Sequence, residues 1–117
     1  MIFEVEKKKV FSSDVGQSFD KSKDTIILLH GSGQSHVVWS LTDQYLSDQG
    51  YNVFTLDLPG HGNSEGNSLN SIEQMAEWLE KVVIQIGINN FSILGHSQGC
   101  LVALEYLNKF PQKVKKL

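Results

Sequence analysis

Phe91-Ser92-Ile93-Leu94-Gly95-His96-Ser97-Gln98-Gly99-Cys100-Leu101-Val102-Ala103-Leu104 is the stretch that decides the fold. It opens as a short apolar run, Phe91 to Leu94, of the length expected for a buried strand. It closes as a helix from Gln98 to about Lys109, stopped by Pro111, whose ring has no N–H to continue the ladder. Between the two lies Gly-x-Ser-x-Gly, a pattern that carries chemical meaning only between a strand and a helix. A turn that sharp forces Ser97 into a strained backbone conformation and lifts its side chain above the sheet. Gly95 and Gly99 lack Cβ atoms, so strand and helix can close around it. Ser97 then stands at a helix N-terminus, where backbone N–H groups favour developing negative charge.

The same alternation extends toward the N-terminus. Thr25 to Leu29 is a continuous β-branched and aliphatic run, as in a strand buried on both faces. Tyr51 to Leu56 is a second such strand. Ile72, Met75, Ala76, Leu79, Val82, Val83 and Ile86 follow the 3.6-residue period of a helix, with Ser71 and Gln74 at capping-box spacing and Gly87 at its end. A helix is also expected over Val37 to Gln49, with Val38, Leu41 and Tyr45 on its apolar face and Gly50 beyond its end. Ile2 to Phe11 alternates loosely, like an edge strand, and a short second strand is expected around Val15 to Phe19. Lys113 to Leu117 resembles the approach to a further strand. Strand and helix in alternation specify an α/β fold with a mainly parallel, doubly wound sheet and right-handed crossovers. Functional loops of such sheets gather at the carboxyl ends of the strands. Three glycine-rich loops fall there: His30 to Ser35, Asp57 to Gly66, and Gly95 to Gly99.

Composition agrees with one folded domain. The chain has 117 residues, 40% hydrophobic and 20% charged, and a net charge of −3. No basic patch or basic amphipathic helix points to nucleic acid or a membrane surface. Lys7–Lys9 and Lys113–Lys116 read as solvated faces. No apolar run approaches the roughly 18 residues of a membrane span, and the first residues do not form a secretory leader, so a cytoplasmic location is expected. The single cysteine, Cys100, cannot form an intrachain disulfide and reads as a buried, inert thiol. Trp39, Trp78 and Met75 read as core. Neither Gly31-x-Gly33 nor Gly60-x-Gly62 continues into a dinucleotide fingerprint, because His36 and Glu65 stand where the third glycine belongs. The four histidines match no familiar metal spacing. No cofactor is expected.

The loops supply the remaining candidates. A tetrahedral acyl intermediate carries an oxyanion that needs two preorganised donors. The N–H of Gln98, next to Ser97, can be one, and the N–H of Ser32 in His30-Gly31-Ser32-Gly33 can be the other. Asp57-Leu58-Pro59-Gly60-His61-Gly62-Asn63-Ser64 reads as a rigid loop fixed by its proline and glycines. His30 and His61 read as structural hydrogen-bonding residues, His96 as an elbow residue pointing away from Ser97, and His36 as a surface residue.

These three motifs, in this order and spacing, resemble the α/β-hydrolase superfamily. The closest likeness is to its serine esterase and lipase-like branch, over about residue 20 to the end. The resemblance implies that Ser97 is the nucleophile and that Ser32 and Gln98 donate to the oxyanion. It also implies a small-molecule acyl substrate, and Ser97 argues against the branches that carry Asp at the elbow. In this family an Asp or Glu and then a His follow the serine along the chain. After Ser97 the sequence offers only Glu105, about 12 Å along the helix, and no histidine. The expectation is therefore the N-terminal part of a single α/β-hydrolase domain, truncated before the later strands and lid. Such a chain alone should be nearly inactive, since a serine without its base is a poor nucleophile. The alternatives are a non-catalytic binding module, with self-association at an open sheet edge, and a complementing chain that supplies the missing half.

Overall fold

The computed structural model describes residues 1–13 and 18–117. A five-stranded sheet, beginning with β1 (Ile2–Val5) and β2 (Lys8–Ser13), has the order β1-β2-β4-β3-β5. β3 (Thr25–Leu29) is central, with β4 (Asn52–Leu56) and β5 (Ser92–Gly95) parallel to it on either side. Every residue of β4 is buried, which is why its sequence reads as a run and not as an alternation.

Side chains alternate across β3. Ile27 and Leu29 enter the larger core with Phe54, Leu56, Leu79, Val83, Val102 and Tyr106, beneath α2 (Ile72–Ile86) and α3 (Gln98–Lys109). Leu28 turns to the opposite face, against Trp39 and Val53, with Leu46 of α1 (Thr42–Asp48) packed alongside. Helices therefore cover both faces. The chain passes from β3 to β4 over one face and back from β4 to β5 over the other. Direction and face reverse together, so both crossovers share one hand, as a doubly wound sheet requires.

Local signals place the helices. Ser71 accepts from the Gln74 amide at 3.1 Å, and Gln74 Oε1 reaches back to the Asn70 amide at 3.0 Å. Gly87, with φ 81°, ends α2 in the left-handed conformation. α3 ends at Lys109, and Pro111 opens a short 3-10 turn. Beyond it the chain runs beside β5: Phe91 bridges Val114 in parallel, and the Ile93 amide donates to the Lys116 carbonyl at 2.9 Å. Trp39, Trp78 and Met75 are core residues, as read from the sequence.

Three sequence readings need correction: the N-terminal strand, the helix after β3 with its apolar face, and the buried Cys100. Ile2 to Phe11 is not one strand but a hairpin of β1 (Ile2–Val5) and β2 (Lys8–Ser13), turned at Glu6 and Lys7, both with positive φ. The strand expected around Val15 to Phe19 falls largely outside the described residues. The helix over Val37 to Gln49 is a 3-10 turn, His36–Trp39, followed by α1, with Leu41 at φ 76° breaking the register between them. Its apolar reading is inverted: Leu41 is 84% and Tyr45 62% exposed, and Val38 is exposed too, whereas α1 buries Asp43 and Ser47. The surface beneath α1 is itself polar there. Ser13 pairs with Thr55 across β2 and β4, and the Ser13 hydroxyl donates to Asp43 Oδ2 at 3.2 Å. Cys100, finally, is exposed, its thiol directed to the Gly95 carbonyl at 2.9 Å, and Leu101 and Leu104 beside it on α3 are exposed as well.

A polar clamp joins α2, α3 and the chain after α3. Tyr106 is fully buried and its hydroxyl donates to Glu80 Oε1 at 2.9 Å; Lys113 Nζ reaches both Glu80 oxygens at 2.9 and 2.8 Å. Burial, reinforced by Glu80, pushes the phenol well above its ordinary pKa, so it stays a donor throughout the accessible pH range. Tyr106→Phe should cost about 1–2 kcal/mol, read as a lower denaturant midpoint with unchanged slope. A shift below the precision of the titration would mean that Lys113 satisfies Glu80 alone.

Candidate active site

β3, β4 and β5 run parallel, so the loops that follow them meet at one end of the sheet. The turn after β5 is the tightest. Ser97 takes φ 57° and ψ −119° at the N-cap of α3, is exposed, and makes no side-chain capping bond. Most serines at this position cap the helix with the hydroxyl; here the hydroxyl is left for other work. The strain is held by close backbone packing. A Cβ on Gly99 would lie 2.2 Å from the Leu29 carbonyl oxygen, so α3 rests directly on the end of β3. The His96 amide donates to the same Leu29 carbonyl at 3.0 Å.

The loop after β3 touches the elbow. A Cβ on Gly31 would lie 3.1 Å from Ser97 Cβ and 3.3 Å from the His96 carbonyl. Ser32 follows, exposed, in a turn closed by the Gln34 amide on the Gly31 carbonyl at 3.2 Å. Among the described residues, the amides of Ser32 and Gln98 donate to no other group of the chain. Gln98 is the first residue of α3, where intrahelical partners are lacking by geometry. Ser97, Ser32 and Gln98 are thus brought to one end of the sheet, as the sequence suggested.

The histidines do not reach Ser97; none of their hydrogen bonds among the described residues involves its hydroxyl. His30 is fully buried. The Leu58 amide donates to its Nε2 at 3.0 Å, so the ring proton sits on Nδ1 and donates to the Gly31 carbonyl at 2.7 Å. His61 repeats the arrangement: the Gly33 amide donates to Nε2 at 3.1 Å, and Nδ1 donates to the Pro59 carbonyl at 3.0 Å. Both rings tie the loop after β3 to the loop after β4, the structural role read from the sequence.

His36 is a correction. It is not a surface residue but half-buried against Phe11, with Nδ1 at 2.9 Å from Asp57 Oδ2. Asp57 is fully buried and also accepts from the His36 amide at 2.6 Å and the Asn63 amide at 2.8 Å. Its own carbonyl accepts from the Ser64 hydroxyl at 2.7 Å. The rigid loop expected over Asp57 to Ser64 is therefore organised by a buried carboxylate as much as by proline and glycine. The available signal was an acid placed directly after a fully buried strand, at its carboxyl end. Sequence reasoning also passed over Gln34, which bridges the two loops nearest Ser97.

Residues 24–117 match the family described as alpha/beta hydrolase fold. The chain belongs to the α/β-hydrolase family. It is 36% identical over 100 residues to a 2-hydroxy-6-oxononadienedioate/2-hydroxy-6-oxononatrienedioate hydrolase of Klebsiella pneumoniae subsp. pneumoniae, a match covering 81% of this chain and 35% of that protein. The protein of the same name from Escherichia coli K12 is 34% identical over 114 residues, covering 93% of this chain and 38% of that protein. The chain thus spans little more than a third of the length of these curated relatives. Among solved structures, an esterase from Exiguobacterium antarcticum superposes with a TM-score of 0.81 at 23% identity, over 97% of this chain and 41% of its own. An epoxide hydrolase from Vigna radiata reaches 0.85 at 21% identity, over 98% and 37%. At such identities the likeness is one of fold. Among the described residues, no helix is long and apolar enough to cross a membrane.

Two predictions follow the packing and the buried ring. Gly99→Ala should destabilise the chain by about 3 kcal/mol, because its new methyl meets backbone that cannot swing aside; a denaturant midpoint within error of wild type would refute the packing described. Burial also holds the His30 imidazole below its ordinary value of 6.5. The unfolded chain then takes up a proton that the folded chain refuses, so stability should fall as pH drops below about 6.5. Denaturant titrations from about pH 8 to about pH 5 should show that fall, and His30→Asn should flatten it.

Proposed function

We propose that this chain carries the nucleophile and oxyanion-binding parts of a serine hydrolase acting on a carboxylic ester or related acyl compound. Ser97 Oγ attacks the carbonyl carbon, the C–O(leaving group) bond breaks, and an acyl-serine remains for water to hydrolyse. The carbonyl oxygen gains negative charge as the new bond forms, and the amides of Ser32 and Gln98 donate to it. The hydroxyl proton passes to a histidine backed by a carboxylate, the pair that the family resemblance implies. No histidine follows Ser97 in residues 1–117, so the proposed reaction requires that pair from outside these residues.

One observation carries the reading: Ser97 holds a left-handed conformation at a helix N-terminus without using its hydroxyl as a cap. A serine kept only for helix capping would make that bond and would have no need of positive φ. The relatives' names supply a ketone carbonyl, an electrophilic carbon that a serine can also attack, but one without the C–O leaving group of an ester. Ser97 sets the reading apart from branches whose elbow residue is Asp.

The complete gene product should label with a fluorophosphonate, and Ser97→Ala should abolish the labelling while leaving the melting temperature near wild type. Labelling that persists undiminished in the variant would reject Ser97 as nucleophile.

A further inference from the structure

Gln34 belongs to the first of the two loops that supply the proposed oxyanion donors, and its side-chain oxygen meets both. The Gly31 amide donates to Gln34 Oε1 at 2.8 Å, and His96 Nδ1 lies 3.1 Å from the same atom. The Gly31 N–H can only donate, which fixes the oxygen end of the amide at this point. His96 must then carry its proton on Nδ1 and donate as well. One acceptor thus holds a donor from the residue before Ser32 and a donor from the residue before Ser97.

From this we infer that Gln34 is a positioning residue for the hydrolysis proposed above, setting the separation of the Ser32 and Gln98 amides. The inference rests on that reading of Ser97. Oxyanion stabilisation depends steeply on where donors sit, and loss of one donor costs about 10²–10³ in rate. Two amides on separate loops keep their spacing only if the loops are tied. The backbone supplies one tie, the His96 amide on the Leu29 carbonyl at 3.0 Å. It secures the elbow to β3 but does not join the elbow to the turn from Gly31 to Gln34, which His30 and His61 hold on its other side, through the Gly31 carbonyl at 2.7 Å and the Gly33 amide at 3.1 Å. The Gln34 side chain makes that join. Trp39 holds the other side of the strut, with its ring edge-on to His96 at 6.4 Å between centroids. Gln34 itself touches no reacting atom, so its effect should appear where charge develops on the carbonyl oxygen and not in ground-state binding.

The test uses the complete gene product, p-nitrophenyl butyrate and a fluorophosphonate. Gln34→Met keeps the length of the side chain and removes the acceptor; His96→Leu breaks only the elbow half of the link and serves if Gln34→Met fails to fold. Each should lower kcat and the rate constant for labelling by about 10-fold to 100-fold, with KM within about twofold. The double variant should be little worse than the poorer single one, since both remove the same tie. Wild-type kcat and labelling rate in folded Gln34→Met would overturn the inference, as would a loss confined to KM. Ser97→Ala separates the two failures. If it retains labelling and turnover, the nucleophile assignment falls and this inference with it; if it abolishes both while the Gln34 variants stay at wild-type rate, only the role of Gln34 is lost.

Discussion

The helix after β5 can sit where it does only because backbone meets backbone at Gly99. The first turn of α3 rests against the last carbonyls of β3, at a distance that leaves no room for a side chain. From that contact the rest of the site follows. The N-terminus of α3 is held at the carboxyl end of the sheet, and Ser97 is pinned at positive φ. A helix one methyl group farther away would relax the turn and return Ser97 to an ordinary capping role.

The loops around this elbow are held by polar contacts, some buried and some at the surface. His30 and His61 each accept a backbone amide on one nitrogen and donate to a carbonyl from the other. Asp57 gathers two amides and an imidazole. Buried backbone groups in loops lack ladder partners, and leaving one unpaired costs about 1–3 kcal/mol. These side chains satisfy them and fix the loops at the same time. The rigidity of the site is thus a by-product of hydrogen-bond satisfaction, and it explains how segments without regular structure can aim amides reproducibly.

Much of this was legible in the sequence because it was written in periodicity and in glycine. β3 is a run of aliphatic residues after Thr25, β4 sets Val53, Phe54 and Leu56 among Asn52 and Thr55, α2 is a regular amphipath with its cap residues in place, and the elbow needs glycine on both sides of Ser97. The failures share a cause. Glu6 and Lys7 turn a hairpin at positive φ without the glycine or asparagine that would announce it. α1 buries Asp43 because Ser13, distant along the chain, awaits it with a hydroxyl. Leu101 and Leu104 look like core residues on α3 and stand at the surface of these residues. Gln34 earns its place through contacts with Gly31 and His96, and the second of these joins segments brought together only by the sheet. Hydropathy patterns report what faces a neighbour; they do not report whether that neighbour is itself polar.

The strand order has a temporal side. β3 lies between β4 and β5, and β5 is the last of the three along the chain. The ledge that receives α3 exists once β5 zips alongside β3, a long-range pairing that must first meet the entropy of closing a large intervening loop. The N-terminal hairpin, by contrast, closes through neighbours. During synthesis β3, whose last carbonyl receives α3, therefore leaves the ribosome before β5 and the bend at Ser97, and the segment that pairs with β5 around Val114 leaves after them.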